Sequence, residues 1–94
     1  MLHIVNKSPH ERNALASCLR VAQPGQALLL IEDGVIAATG PGLGDAASRL
    51  KVYALAPDLA ARGLSAKVAP GITAIDYAGF VDLVAEHSTS QSWL

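Results

Sequence analysis

The stretch Ala27-Leu-Leu-Leu-Ile-Glu-Asp-Gly34 decides the fold. Its first five residues, Ala27 to Ile31, are all apolar, which is typical of a central strand that is buried on both faces of a sheet. The polar residues Glu32-Asp33-Gly34 then end the strand and open a short helical turn. Because a strand of this kind needs packing partners on both faces, the segment predicts a sheet with helices packed against it.

A strand-then-helix unit precedes this segment. Leu2 to Val5 is a short apolar run that predicts a strand. Ser8 and Pro9 follow it as a helix cap and first helical residue, and Glu11 completes a capping box. We therefore expect a helix from Pro9 to about Ala22.

Two more units follow the central strand. Lys51 to Leu55 predicts a strand, after which Pro57 starts a helix that Gly63 ends. Ile72 to Ile75 predicts another strand, and Asp76 caps a last helix of apolar spacing. The apolar residues of this last helix are Phe80, Val81, Leu83 and Val84.

Strands that alternate with helices predict one α/β domain over residues 1–94. We expect three layers, in which a mainly parallel, Rossmann-like sheet of four or five strands has helices on both faces. The tail from Ser88 to Leu94 is polar until its last two residues and is assigned to no element.

The composition argues against several classes of function. The 94 residues are 51% apolar and 16% charged, which is fewer charges than a lone domain usually shows, so we expect another subunit to cover part of the surface. A formal charge of −1, with no block of either sign, disfavours direct binding of nucleic acid or anionic lipid. The sequence shows neither a signal peptide nor a run long enough to span a membrane, so a cytoplasmic protein is expected.

The loops after the strands are where a sheet of this kind places ligands. They hold no complete catalytic set. Glu32 and Asp33 could pair as acid and base, although adjacent carboxylates before a glycine are more often a solvated turn with a helix cap. Glycines 40, 42 and 44 lack the spacing and ending of a phosphate loop, so a flexible connector is favoured.

The three histidines do not predict a metal site. No two of His3, His10 and His87 are spaced to share one helical face, and each has an ordinary structural role available. No metal and no cofactor is therefore expected. Trp93 lies near a chain end that would normally fray, so it either packs over the sheet edge or anchors a subunit contact.

Cys18 is the only cysteine and so the only side chain that could itself hold a transferable sulfur atom. A nucleophilic thiol needs its thiolate stabilised by a cation or a helix N-terminus. Cys18 lies toward the C-terminal end of its predicted helix, with only Ala, Leu and Val three and four residues away. Those surroundings predict a raised thiol pKa and a small buried hydrophobe, unless a partner supplies a cation.

Several segments together resemble the DsrH/TusB family of sulfur-relay subunits. They cover nearly the whole chain and match the family in order, spacing and length. These segments are Met1-Leu-His-Ile-Val-Asn-Lys-Ser-Pro9, Leu28-Leu-Leu-Ile-Glu-Asp-Gly-Val35, Val52-Tyr-Ala-Leu-Ala-Pro-Asp-Leu-Ala-Ala-Arg-Gly-Leu64, Ile75-Asp-Tyr-Ala-Gly-Phe-Val-Asp-Leu83 and Gln91-Ser-Trp93. The run from Glu11 to Leu19 looks more like the DsrH branch, which has a cysteine in this helix.

The resemblance implies a DsrE/F/H-like fold and a heterohexamer with DsrE-like and DsrF-like subunits. It implies sulfur transfer toward a DsrC-type acceptor in sulfur oxidation, or, as in the TusB branch, toward a TusE-type acceptor for 2-thiolation of the tRNA wobble uridine. Cys18 matches the DsrH cysteine and by this likeness would be a persulfide carrier. The alternative is a structural subunit in which Cys18 remains a thiol.

Overall fold

The computed structural model describes residues 1–10, 13–40, 43 and 45–93. The chain forms a five-stranded parallel sheet with the strand order β4-β3-β2-β1-β5. The strands are β1 (Leu2–Val5), β2 (Ala27–Leu30), β3 (Lys51–Leu55), β4 (Ile72–Ile75) and β5 (Ser90–Trp93). The helices are α1 (Ala14–Val21), α2 (Ala46–Arg49), α3 (Ala56–Ala61) and α4 (Tyr77–Glu86), with 3₁₀-helices at Glu32–Ala38 and Ser65–Lys67.

The central strand β2 is buried on both faces, as its continuous apolar sequence predicts. Leu28 and Leu30 point to one face and contribute to a core formed with helices α1, α2 and α3 and the 3₁₀-helix Glu32–Ala38. Ala27 and Leu29 point to the other face and pack near Leu83 of α4. The predicted architecture, a parallel sheet with helices on both faces, is therefore confirmed.

The two faces are covered unequally. Three α-helices and the 3₁₀-helix Glu32–Ala38 cover the first face, whereas α4 alone contributes the buried helical residue on the second. Helix α4 begins where the sequence predicts, because the side chain of Asp76 accepts a hydrogen bond of 2.8 Å from the backbone N–H of Gly79. Leu83 is the one buried residue of this helix. Most of α4 consequently lies at the surface of the isolated chain.

Helix α1 starts later than the sequence predicts. It begins at Ala14 rather than Pro9, and its cap residue Asn13 makes no side-chain capping bond. The hydroxyl of Ser8 accepts the backbone N–H of His10 at 3.1 Å, which forms a local turn instead of a helix cap. Glu11, the other half of the predicted capping box, lies outside the described residues.

The tail contains a strand that the sequence pattern did not predict. Ser90–Trp93 forms β5, which pairs in parallel with β1 and places Trp93 beside Val5. Three of its four residues are exposed and polar, so it lacks the apolar alternation of a half-buried strand. Its position comes from hydrogen bonding along the free edge of β1, together with the contacts of Trp93.

Candidate functional site

The loops that follow the strands lie together at the carboxyl edge of the sheet, where folds of this kind bind ligands. Since all five strands are parallel, Asn6, Glu32, Ala56 and Asp76 follow strand ends at the same edge. The loops after β2 and β3 are joined there, because the carboxylate of Asp58 accepts the backbone N–H of Glu32 at 2.6 Å. The carboxyl edge thus holds polar groups that bond to one another.

Asp33 is committed to an ion pair at this edge. The guanidinium of Arg62 donates to one carboxylate oxygen of Asp33 from Nε at 3.1 Å and from Nη2 at 2.9 Å. The third nitrogen, Nη1, donates to the backbone oxygen of Asp58 at 3.1 Å. Arg62 therefore ties the turn after β2 to helix α3, which supports the structural interpretation of the Glu32-Asp33 pair over an acid–base one.

The backbone of Glu32 is strained. It is the single non-glycine residue with positive φ in the described chain, at +50°. A residue with a side chain rarely adopts this left-handed conformation, so surrounding contacts must hold it there. The Asp58 hydrogen bond and the close packing of Gly34 on the end of β1 provide those contacts. The turn therefore joins the ends of three strands, since Gly34 packs on β1 and Asp58 follows β3.

The loop after β1 has one buried polar atom without a partner. The side-chain oxygen Oδ1 of Asn6 is inaccessible to solvent and accepts no hydrogen bond from the described residues.

The glycine-rich segment begins at Gly40, which has a φ of +124°. Glycines 42 and 44, the other two of that segment, lie outside the described residues.

The three histidines lie in different environments. His3 is buried in β1, whereas His10 is exposed after it. His87 ends α4, with its Nδ1 atom 2.8 Å from the backbone oxygen of Leu83. Within the described residues, no three His, Cys, Asp or Glu side chains form a group able to hold a metal ion.

Cys18 lies in the hydrophobic core rather than at the carboxyl edge. Its side chain has no solvent-exposed surface and packs in the cluster that also contains Leu15, Leu28 and Leu30. Desolvation by this burial raises the pKa of the Cys18 thiol to about 11. At pH 7 only about one thiol in ten thousand would then be a thiolate.

No cation offsets this desolvation from within helix α1. Arg20, the basic residue of the last turn, is exposed and donates to the hydroxyl of Ser17 at 3.3 Å. The unreactive surroundings expected from the sequence are therefore present in the folded chain. Whether Cys18 carries sulfur in an assembled complex stays a prediction, and it would require helix α1 to open.

Trp93 connects the last strand to the interior through His3. The indole Nε1–H donates to Nδ1 of His3 at 3.2 Å, and Nε2 of His3 lies 2.8 Å from the side-chain oxygen of Gln26. Because indole is only a donor, Nδ1 is the acceptor and Nε2 carries the proton that goes to Gln26. Trp93 is half-buried against the first core, so in the isolated chain it packs over the sheet edge.

Two of these connections could not be found from sequence spacing. Arg62 and Asp33 are 29 residues apart, and Trp93 and His3 are 90 residues apart. The weak signals were a lone arginine in an otherwise uncharged helix end and an aromatic residue near the terminus. Neither signal identifies its partner without the sheet order.

None of the helices in the described part of the chain has the length and apolar character needed to cross a bilayer. The longest is α4, which has ten residues. A membrane span needs about twenty residues.

The chain is similar to known proteins along almost its whole length. A family model described as DsrH like protein matches residues 7–90. Protein TusB of Sodalis glossinidius (strain morsitans) is 44% identical over 96 residues, which cover 99% of this chain and 100% of that protein. Protein TusB of Escherichia coli O81 (strain ED1a) is 41% identical with the same coverage. The solution NMR structure of Tm0979 from Thermotoga maritima is 26% identical, with a TM-score of 0.68 over 95% of this chain and 97% of that one.

Proposed function

The chain belongs to the DsrH/TusB family of sulfur-relay proteins, and we propose that it is a structural subunit of a relay complex in which a related partner carries the sulfur. The partners would be DsrE-like and DsrF-like subunits, two copies of each with two of this chain, in the cytoplasm. The observation that carries the proposal is the complete burial of Cys18 together with its raised thiol pKa.

The chemistry of a relay explains why burial matters. A thiolate attacks the outer sulfur of a persulfide, the sulfur–sulfur bond breaks, and the donor cysteine leaves as a thiolate while the proton stays on the transferred sulfur. The attacking sulfur must be ionised and accessible. Cys18 is buried in the folded chain and its thiol pKa is raised, so the isolated chain meets neither condition.

The competing hypothesis is that Cys18 is a second carrier. The resemblance of its helix to the DsrH branch supports this, since that branch has a cysteine there. The carrier role needs a partner that opens α1 and supplies a cation, because desolvation alone keeps the pKa near 11.

Mass spectrometry of the reconstituted complex distinguishes the two hypotheses. After incubation with polysulfide, we expect the partner's cysteine to gain one sulfur atom and this chain to keep its original mass. Because Cys18 is the only cysteine, any sulfur added to this chain as a persulfide must be on it. The matched control is Cys18→Ala, which should assemble and support sulfur transfer within about twofold of the wild-type rate, since no thiol chemistry is removed.

A sulfur adduct on Cys18, combined with loss of transfer in Cys18→Ala, would show that the carrier hypothesis is correct. The stability of Cys18→Ala should be measured in parallel, because deleting a buried side chain of this size costs about 1 kcal/mol. Loss of transfer without loss of assembly separates chemistry from folding.

The destination of the sulfur is proposed to be the tRNA wobble uridine, through a TusE-type acceptor. The support is the 41–44% identity to TusB proteins over their full length. The second candidate is a DsrC-type acceptor in sulfur oxidation, which the cysteine in α1 favours by its likeness to the DsrH branch.

Deleting the gene in its host should lower 2-thiouridine in tRNA to near background, as measured by mass spectrometry of digested nucleosides. A plasmid copy encoding either the wild-type chain or Cys18→Ala should restore the modification. Normal 2-thiouridine together with impaired sulfur oxidation would instead favour the DsrC-type destination.

A further inference from the structure

The outer surface of helix α4 is apolar although it faces solvent. Tyr77, Val81 and Val84 are 61%, 65% and 43% exposed, and they lie on one stripe at the spacing i, i+4 and i+7. Ala78 and Ala85 are also exposed and continue this surface around the helix. A helix that is apolar nearly all round is normally buried. In the isolated chain, the outer face of α4 therefore exposes to solvent an apolar surface of the kind that is normally buried.

Two carboxylates line one rim of this surface. Asp82 and Glu86 are four residues apart on α4, where like charges destabilise a helix unless a cation lies between them. Within the described residues, neither carboxylate forms an ion pair. The rim therefore lacks the positive charge that would complement it.

Charged residues are unevenly distributed along the sequence. Residues 68–94 contain the carboxylates Asp76, Asp82 and Glu86 but no Lys or Arg. Residues 1–67 contain all seven basic and five acidic residues, a net charge of +2. The segment that contains α4 thus supplies carboxylates but no Lys or Arg beside the apolar surface.

From these observations we infer that the outer face of α4 docks a non-identical protein subunit whose contact surface is apolar with Lys or Arg at its rim. A second copy of this chain fits poorly, because a two-fold contact through α4 would bring four carboxylates together without a cation from residues 68–94. An apolar centre with a charged rim is the usual anatomy of a protein–protein contact. This inference rests on the proposed function and identifies the surface by which the subunit joins its complex.

Val81→Glu tests the apolar centre. With co-purified DsrE-like and DsrF-like subunits, this variant should bind at least about tenfold more weakly, because a charge enters a desolvated contact. Val21→Glu is the matched control, since Val21 is 55% exposed on α1, on the opposite face of the sheet, and should bind within about twofold of wild type. Both isolated variants should keep the wild-type circular dichroism spectrum and melting temperature, because both positions are exposed.

Asp82→Lys tests the rim. It should weaken binding about three- to tenfold at low salt and much less at about 1 M salt, where rim charges are screened. Its control is Asp45→Lys, which changes an 85% exposed side chain beside helix α2 and should have little effect.

The outcomes separate the inference from the proposed function. If the wild-type chain joins the complex and Val81→Glu joins equally well, the docking surface is wrong and the proposed function stands. If Val21→Glu weakens binding as much as Val81→Glu, the effect is not specific to α4 and the inference also fails. A wild-type chain that remains monomeric beside both partners overturns the inference and the proposed function. Self-association of the isolated chain that Val81→Glu abolishes would identify a second copy as the occupant and contradict the stated partner.

Discussion

Gly34→Ala should destabilise the folded chain by about 3 kcal/mol or more, a large share of the stability of a small domain. A methyl group at Gly34 would lie deep inside van der Waals contact with the backbone oxygen of Val5 and 3.0 Å from its carbonyl carbon. These atoms cannot withdraw easily, because the Val5 oxygen accepts the backbone N–H of Ile31 at 3.0 Å. Relief of the clash would therefore open the junction between β1 and β2.

Urea unfolding followed by circular dichroism measures this loss. The matched control is Gly63→Ala, where φ is +67° but no atom lies within 4 Å of the added methyl group. That variant should lower the free energy of unfolding by only about 1 kcal/mol, because alanine adopts a left-handed backbone conformation less readily than glycine. Gly34 itself has no positive φ, so a loss at Gly34 no larger than that at Gly63 would show that the close approach to Val5 is relieved at little cost and would contradict the prediction.

Trp93→Ala should cost about 2–3 kcal/mol, although the residue is next to the end of the chain. The substitution removes apolar contact with the first core and leaves Nδ1 of buried His3 without its hydrogen-bond donor. The effect should be centred on β5, since Trp93 contributes the one residue of that strand that is not exposed. Hydrogen exchange at the Leu2 N–H, which donates to the Thr89 oxygen at 3.1 Å, should accelerate most.

Trp93→Phe separates packing from hydrogen bonding. It keeps an aromatic ring but no N–H group, so we expect a loss of about 1 kcal/mol. Trp93→Ala with wild-type stability but impaired assembly would contradict the packing interpretation and assign Trp93 to a subunit contact. The structure favours packing, because the indole and imidazole rings already lie 6.2 Å apart between centroids.

The burial of Cys18 and the exposure of apolar residues on α4 bear on the same question, which is whether the chain reacts or binds. Cys18 is buried between helix α1 and the sheet, whereas α4 on the opposite face of the sheet exposes apolar side chains to solvent. This arrangement supports the proposal that the chain contributes binding rather than thiol chemistry to a relay complex. The reactive cysteine is then proposed to belong to a partner, and this chain to help shape its surroundings.

Local sequence signals determined the framework of the sheet. The apolar run of β2 predicts a doubly buried strand, because no polar residue interrupts it, and the structure buries all four of its residues. Asp76 marks the start of α4, because its side chain caps the nearby backbone. Gly63 marks the end of α3, because it adopts the positive φ that favours glycine. The unactivated setting of Cys18 was also predictable, because its helical neighbours are apolar.

Only the tertiary structure decided the features that join distant segments. Strand β5 has a polar sequence and forms because the edge of β1 is available, so no local pattern could predict it. The bonds from Arg62 to Asp33 and from Trp93 to His3 depend on the sheet order, which sequence spacing does not specify. The same holds for the exposure of α4, because its apolar spacing predicts a helix but not which of its apolar residues the fold covers. The fold buries Leu83 and leaves Val81 exposed, because among the described helices α4 alone contributes a buried residue to its face of the sheet.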